Sequence, residues 1–179
     1  MDTQGKESAV SRLRELAQTL RSVYEQAGTL VAQAVKPVDQ AAEIIGVTFR
    51  QPHYAESLKS APAERRNGAK RPDTFVAEEE FEGGGRIEYA LCVTRGADGK
   101  CRVRVSRCAY RLPESNGQGT ETTNGDPVIE EIRTIAPNEM PLPIRVKVLE
   151  RLDDFVILYE KHVRDDRRNF LDGSVLSGS

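Results

Sequence analysis

Histidine occurs only twice in the 179 residues, as His53 and His162, and the three cysteines, Cys92, Cys101 and Cys108, form no Cys-x-x-Cys pair. A disulfide framework or a cysteine-rich zinc site needs paired thiols at characteristic spacing, so free thiols in a reducing cytoplasm are expected. No apolar run nears the roughly 20 residues of a bilayer-spanning helix. Residues 1–11 lack the basic-then-apolar order of a secretory leader. A cytoplasmic chain with no membrane association follows as the expectation. Charge of one sign is also missing: 26 basic against 28 acidic residues leave a net charge of −2, without the bulk electrostatic drive of a nucleic-acid binder.

Catalytic signatures are equally scarce. There is no Gly-x-Ser-x-Gly elbow, and no cysteine lies beside a histidine. The run Gly83-Gly84-Gly85 opens onto a strand, whereas phosphate cradles open onto a helix amino terminus. His162, Asp165 and Asp166 share a helix face at ligand-like spacing. Arg164, Arg167 and Arg168 explain those acids more simply, as a solvated face. Among the thiols, Cys92 deserves a reactivity test, because its expected strand partner Arg104 could lower its pKa. Neither enzyme activity, cofactor nor metal is expected.

What the chain does contain is periodicity. With 38% hydrophobic and 30% charged residues it is globular, and its length suits one domain. The fold class expected is α+β: a long amino-terminal amphipathic helix, an antiparallel meander of three to four strands, and a long carboxy-terminal amphipathic helix. Residues 6–46 form the helical arm. Val10, Leu13, Leu20, Tyr24 and Val31 recur at heptad-like steps, and Leu16 and Val23 widen the stripe. Pro37 is expected to start a second short helix that Gly46 ends. Residues 51–73 read as a mobile loop, basic through Arg65, Arg66, Lys70 and Arg71.

The meander occupies 74–136. Strands are expected at 74–82, 86–95 and 101–112, joined by the glycine run and by a type I turn at Gly96-Ala97-Asp98-Gly99. That turn sets Val93 opposite Val103 and Leu91 opposite Val105. A bulge near Ser106 and Arg107 then keeps Cys108 and Tyr110 on the apolar face with Tyr89 and Ile87. Counting back through the glycine run places Phe81 beside Ile87, Ala77 beside Leu91 and Phe75 beside Val93. The other face is expected to be polar. Residues 113–126 read as a mobile loop, and 128–135 as a fourth strand, with a helix started by Pro127 as the alternative. The last helix spans 141–171, striped by Leu149, Leu152, Val156, Tyr159 and Val163, and Gly173 opens a frayed tail over 172–179.

Two functional expectations follow. The first helix is longer than any strand it can cover, so part of its seam (Val10, Leu13, Leu16, Leu20, Val23, Tyr24 and Val31) needs a partner. A non-enzymatic interaction or scaffold protein that homodimerises through its helices meets that need, and an unidentified protein could do so too. The alternative is an anion- or nucleic-acid-binding module built from Arg102, Arg104 and Arg111 with Arg65, Arg66, Lys70 and Arg71. Acidic side chains on neighbouring strands argue instead for cross-strand ion pairs.

Overall fold

The structure is a computed structural model and describes residues 3–61, 69–112 and 126–176, with side chains from Ser11 to Arg168. Helix α1 (Thr3–Ile45) and helix α2 (Tyr54–Ser60) precede strands β1 (Phe75–Phe81), β2 (Gly85–Arg95), β3 (Cys101–Arg111) and β4 (Val128–Ile135). A 3-10 turn, Pro137–Glu139, then leads into helix α3 (Leu142–Leu176). The sheet is antiparallel in the order β1-β2-β3-β4, so the α+β architecture read from periodicity is the one observed.

Helix α1 is continuous through Pro37, where a break was expected. Val31, Val35 and Ala42 lie on both sides of the proline and pack into one core. That packing offsets the ~3 kcal/mol that an interior proline costs. Gly46 ends the helix as expected, at φ +71° with its N–H on the Ala42 carbonyl. Helix α3 likewise runs past Gly173 to Leu176, and one interior glycine costs only about 1 kcal/mol. Its buried row is Ile144, Val148, Leu152, Phe155, Tyr159 and Val163, so Leu149 and Val156 of the expected stripe, each 36% exposed, lie beside the core-facing row and not in it.

The front of the sheet, carrying Tyr89, Leu91, Val93, Val103 and Val105, meets α1 and α3. Beyond β1, Phe49 takes over the outer edge of β2: its N–H donates to Val93 O at 2.9 Å, and Val93 N–H donates to Phe49 O at 2.7 Å. On the other side β4 stops at Ile135, opposite Val105, which leaves the Val103 N–H without a strand partner. The Asp39 carboxylate on α1 accepts it at 2.6 Å.

The register departs from expectation in three places. The β2–β3 ladder is unbroken, with Tyr89 opposite Arg107 and Glu88 opposite Cys108, so there is no bulge near Ser106. Cys108 and Tyr110 therefore lie on the back face, where they are fully buried against Ala55 of α2. Both faces of the central strands are covered, and alternation on one face alone could not show that. The β1–β2 pairing is offset by two residues, with Ala77 opposite Tyr89 and Phe81 opposite Gly85. Gly85 is a strand residue, so only Glu82, Gly83 and Gly84 turn the chain, with φ +78° and +72° at the two glycines. A Cβ on Gly85 would meet the Phe81 ring at 2.0 Å. An irregularity between Phe75 and Ala77 places Phe75 opposite Ala90 and buries Val76.

Candidate functional site: a free helical face and a buried polar cluster

Residues 51–60 are not the loop their composition suggested. Short α2 carries Ala55 and Leu58 onto the back of the sheet, and the residue before it, His53, packs over the back of β2 and β3. Its Nδ1 lies 2.9 Å from Glu88 Oε1 and its Nε2 lies 2.7 Å from Ser106 Oγ. The same carboxylate accepts the Tyr54 N–H at 3.0 Å. The Glu56 side chain accepts the His53 N–H at 2.9 Å, and Arg50 in turn binds Glu56. A carboxylate accepts only, so in the neutral ring Nδ1 carries the proton and Nε2 accepts from Ser106.

Serine, imidazole and carboxylate in this order have the connectivity of a nucleophilic triad. The surroundings do not suit that chemistry. His53 and Glu88 are 0% exposed and Ser106 1%, and the histidine belongs to the very segment that covers the serine. Lifting that cover to admit a substrate would pull the base off its nucleophile. Fully satisfied and dry, the cluster pins α2 to the sheet. Sequence reading missed it because the three residues are 35 and 53 positions apart in their pairings. One signal was available: Tyr89-Ala90-Leu91-Cys92-Val93 is apolar without alternation, as in a strand covered twice.

Cys108 shares this back-face enclosure, Cys92 is buried on the same face of the sheet, and Cys101 belongs to the front core. Burial pushes the Cys92 thiol up to about 11, against the opposing pull of Arg50 and Arg104. Burial, with the Glu56 and Glu88 charges, pushes Cys108 to about 12. Cys92 does sit opposite Arg104, yet desolvation outweighs the arginine. We expect none of the three buried thiols to react with Ellman's reagent at pH 8 until denaturant is added, when all three should titrate; rapid native labelling of Cys92 would contradict the burial.

The candidate arginines are dispersed and engaged. Arg102 pairs with Asp98 at the hairpin turn. Arg104 donates to the Val103 carbonyl at 3.0 Å. Arg111 pairs with Glu130 at 2.6 Å and stacks on Phe81, and Arg107 pairs with Glu131. Arg71 binds Glu78 at 2.8 Å and covers Phe75. Lys70 is exposed. Arg65 and Arg66, like residues 113–125 of the second expected loop, lie outside the described residues. The His162 ring packs on Phe49 at 4.8 Å and donates to the Thr48 carbonyl at 3.2 Å. Among the described residues, no three His, Cys, Asp or Glu side chains are grouped to hold a metal ion, and no helix is long and apolar enough to cross a membrane.

The expected helical seam divides in two. Val31 is 0% exposed and belongs to the core, not to a free face. Tyr24 is the junction: its hydroxyl donates to the Met140 carbonyl at 3.2 Å, and the buried Arg145 lies over its ring at 3.8 Å. Arg145 also donates to the Tyr24 carbonyl at 2.6 Å. Gly28 makes that approach possible, since a Cβ there would come within 2.8 Å of the guanidinium. Amino-terminal to this clamp, every described side chain is exposed, including Leu13 (65%), Leu16 (55%), Leu20 (57%) and Val23 (45%). The side chain of Val10 lies outside the described residues.

The geometry of the face explains the division. Ala17, Tyr24 and Val31 form one heptad row, and it meets the body at Tyr24 and Val31 while Ala17 stays exposed. Leu16, Val23 and Leu30 form another, and Leu30 stays 57% exposed even where α1 is packed. The chain thus has no element of its own that covers the second row among the described residues. Comparison with protein-family models, with curated proteins and with solved structures found no match.

Proposed function

We propose that this chain is a non-enzymatic interaction or scaffold protein that homodimerises through the free face of α1. The observation that carries the reading is the row of exposed large apolar side chains, Leu13, Leu16, Leu20, Val23 and Leu30, on a helix that packs on the body only from Tyr24 onward. Soluble proteins seldom leave a continuous apolar stripe of this kind to water. Its flanks are nearly uncharged, with Ala17 and Tyr24 on one side and Arg12, Thr19 and Gln26 on the other. A strongly acidic or basic partner has little to recognise there, whereas a second copy needs only the apolar row.

The described candidate arginines, dispersed and already engaged, give the anion-binding alternative no comparable support, and the inaccessible Ser106–His53–Glu88 cluster gives an enzyme none. Light scattering after size exclusion should report about twice the 19.9 kDa chain mass at tens of micromolar. Leu16→Glu combined with Leu20→Glu should weaken the dimer at least ~100-fold, about 2.7 kcal/mol, while the urea midpoint of the folded body stays unchanged. A wild-type chain that remains monomeric under these conditions overturns the proposal.

A further inference from the structure

Resting on the self-association reading, we infer that the two copies of α1 pair antiparallel, with the two-fold axis passing between Leu20 and Val23. An isologous contact requires that if one residue meets a second, the second meets the first. The exposed row satisfies this in one antiparallel register: Leu13 faces Leu30 of the second copy, Leu16 faces Ala27, and Leu20 faces Val23. Every large exposed apolar side chain of the free row then has a partner, and Leu16 meets the small Ala27.

Alternating large with small across a seam fills it at constant spacing. Parallel pairing would set Ala27 against Ala27 between the Val23 and Leu30 layers, leaving a gap in the seam. The helix dipoles also oppose parallel alignment and favour antiparallel. On the polar flank, Thr19 approaches Gln26 of the second copy, so no like charges meet. The face that receives the second arm is open: Leu30 is 57% exposed and Pro37 is exposed, while the body attaches through Val31, Val35 and Ala42. Each copy covers on the order of 500 Å² in this seam, so the pair reaches the ~1,000 Å² scale of a specific interface.

Nitroxide labels at single introduced cysteines test the direction, since all three native thiols are buried. Ser11 and Ala32 are both exposed and lie on the outer side of α1, away from the seam. In the antiparallel pair Ser11 of one copy sits level with Ala32 of the other. Ser11→Cys dimers should therefore give distances beyond ~30 Å, and a mixture of Ser11→Cys with Ala32→Cys about 20 Å, from 1.5 Å of rise per residue and the width of two helices. A Ser11→Cys distance near 20 Å would overturn the antiparallel assignment and leave self-association standing. A monomer by light scattering would remove both.

Discussion

Glu88→Ala should destabilise the fold by about 3–5 kcal/mol. The carboxylate accepts from the His53 ring and from the Tyr54 N–H in a site that is 0% exposed. Alanine leaves both donors facing a dry cavity too enclosed for them to recover hydrogen bonds with water, and each unsatisfied donor costs roughly 1–3 kcal/mol. Glu88→Gln keeps one acceptor oxygen and turns an amide N–H₂ toward the other donor, so about half the loss is expected. Ser106→Ala removes only the donor to Nε2, at about 1–2 kcal/mol. Urea denaturation reads all three, with the midpoint falling and the slope unchanged. A Glu88→Ala protein within about 1 kcal/mol of the parent would mean that water reaches the cluster.

Phe155→Ala is the second large effect, at about 3–5 kcal/mol. Phe155 is 1% exposed, and its ring lies 6.0 Å from Phe49 and 6.3 Å from Tyr159. These rings join α3 to the Phe49 segment that completes the edge of β2, so the cavity opens where two elements meet and neither can collapse alone. Ile157→Ala, on the same helix but 65% exposed, provides the control and should change stability by no more than about 0.5 kcal/mol. Equal losses in the two variants would place Phe155 outside the core.

The long elements were legible because a helical stripe repeats over many turns. The buried row of α3 from Val148 to Val163 and the sheet-facing row of α1 both stand out at that period. The β2–β3 hairpin was legible because its turn fixes register locally, and Val93–Val103 and Leu91–Val105 pair as that turn dictates. Helix α2 was not, since seven residues with two buried side chains carry too little periodicity against a polar background. That omission spread: without a cover for the back face, Cys108 and Tyr110 had to be forced onto the front by a bulge that does not exist. The Ser106–His53–Glu88 cluster was hidden for the same reason, because it assembles only once α2 is in place. The free row of α1 was visible from the start, but Val31 could be told from it only by the packing.

The clamp formed by Tyr24, Gly28 and Arg145 marks where tertiary support for α1 stops. The 21 residues from Thr3 to Val23 form a helix about 32 Å long, and an isolated helix of that size is only marginally formed in water. Under the proposed self-association, its helix content should follow the abundance of the chain by mass action. At dilution the arm is expected to fray while the sheet and α3 persist, and its amides to exchange with solvent quickly. As concentration rises, the proposed pairing should supply the missing contacts and slow those amides together, whereas β2 and β3 should exchange slowly throughout. A chain that pairs as proposed would convert its own copy number into local order.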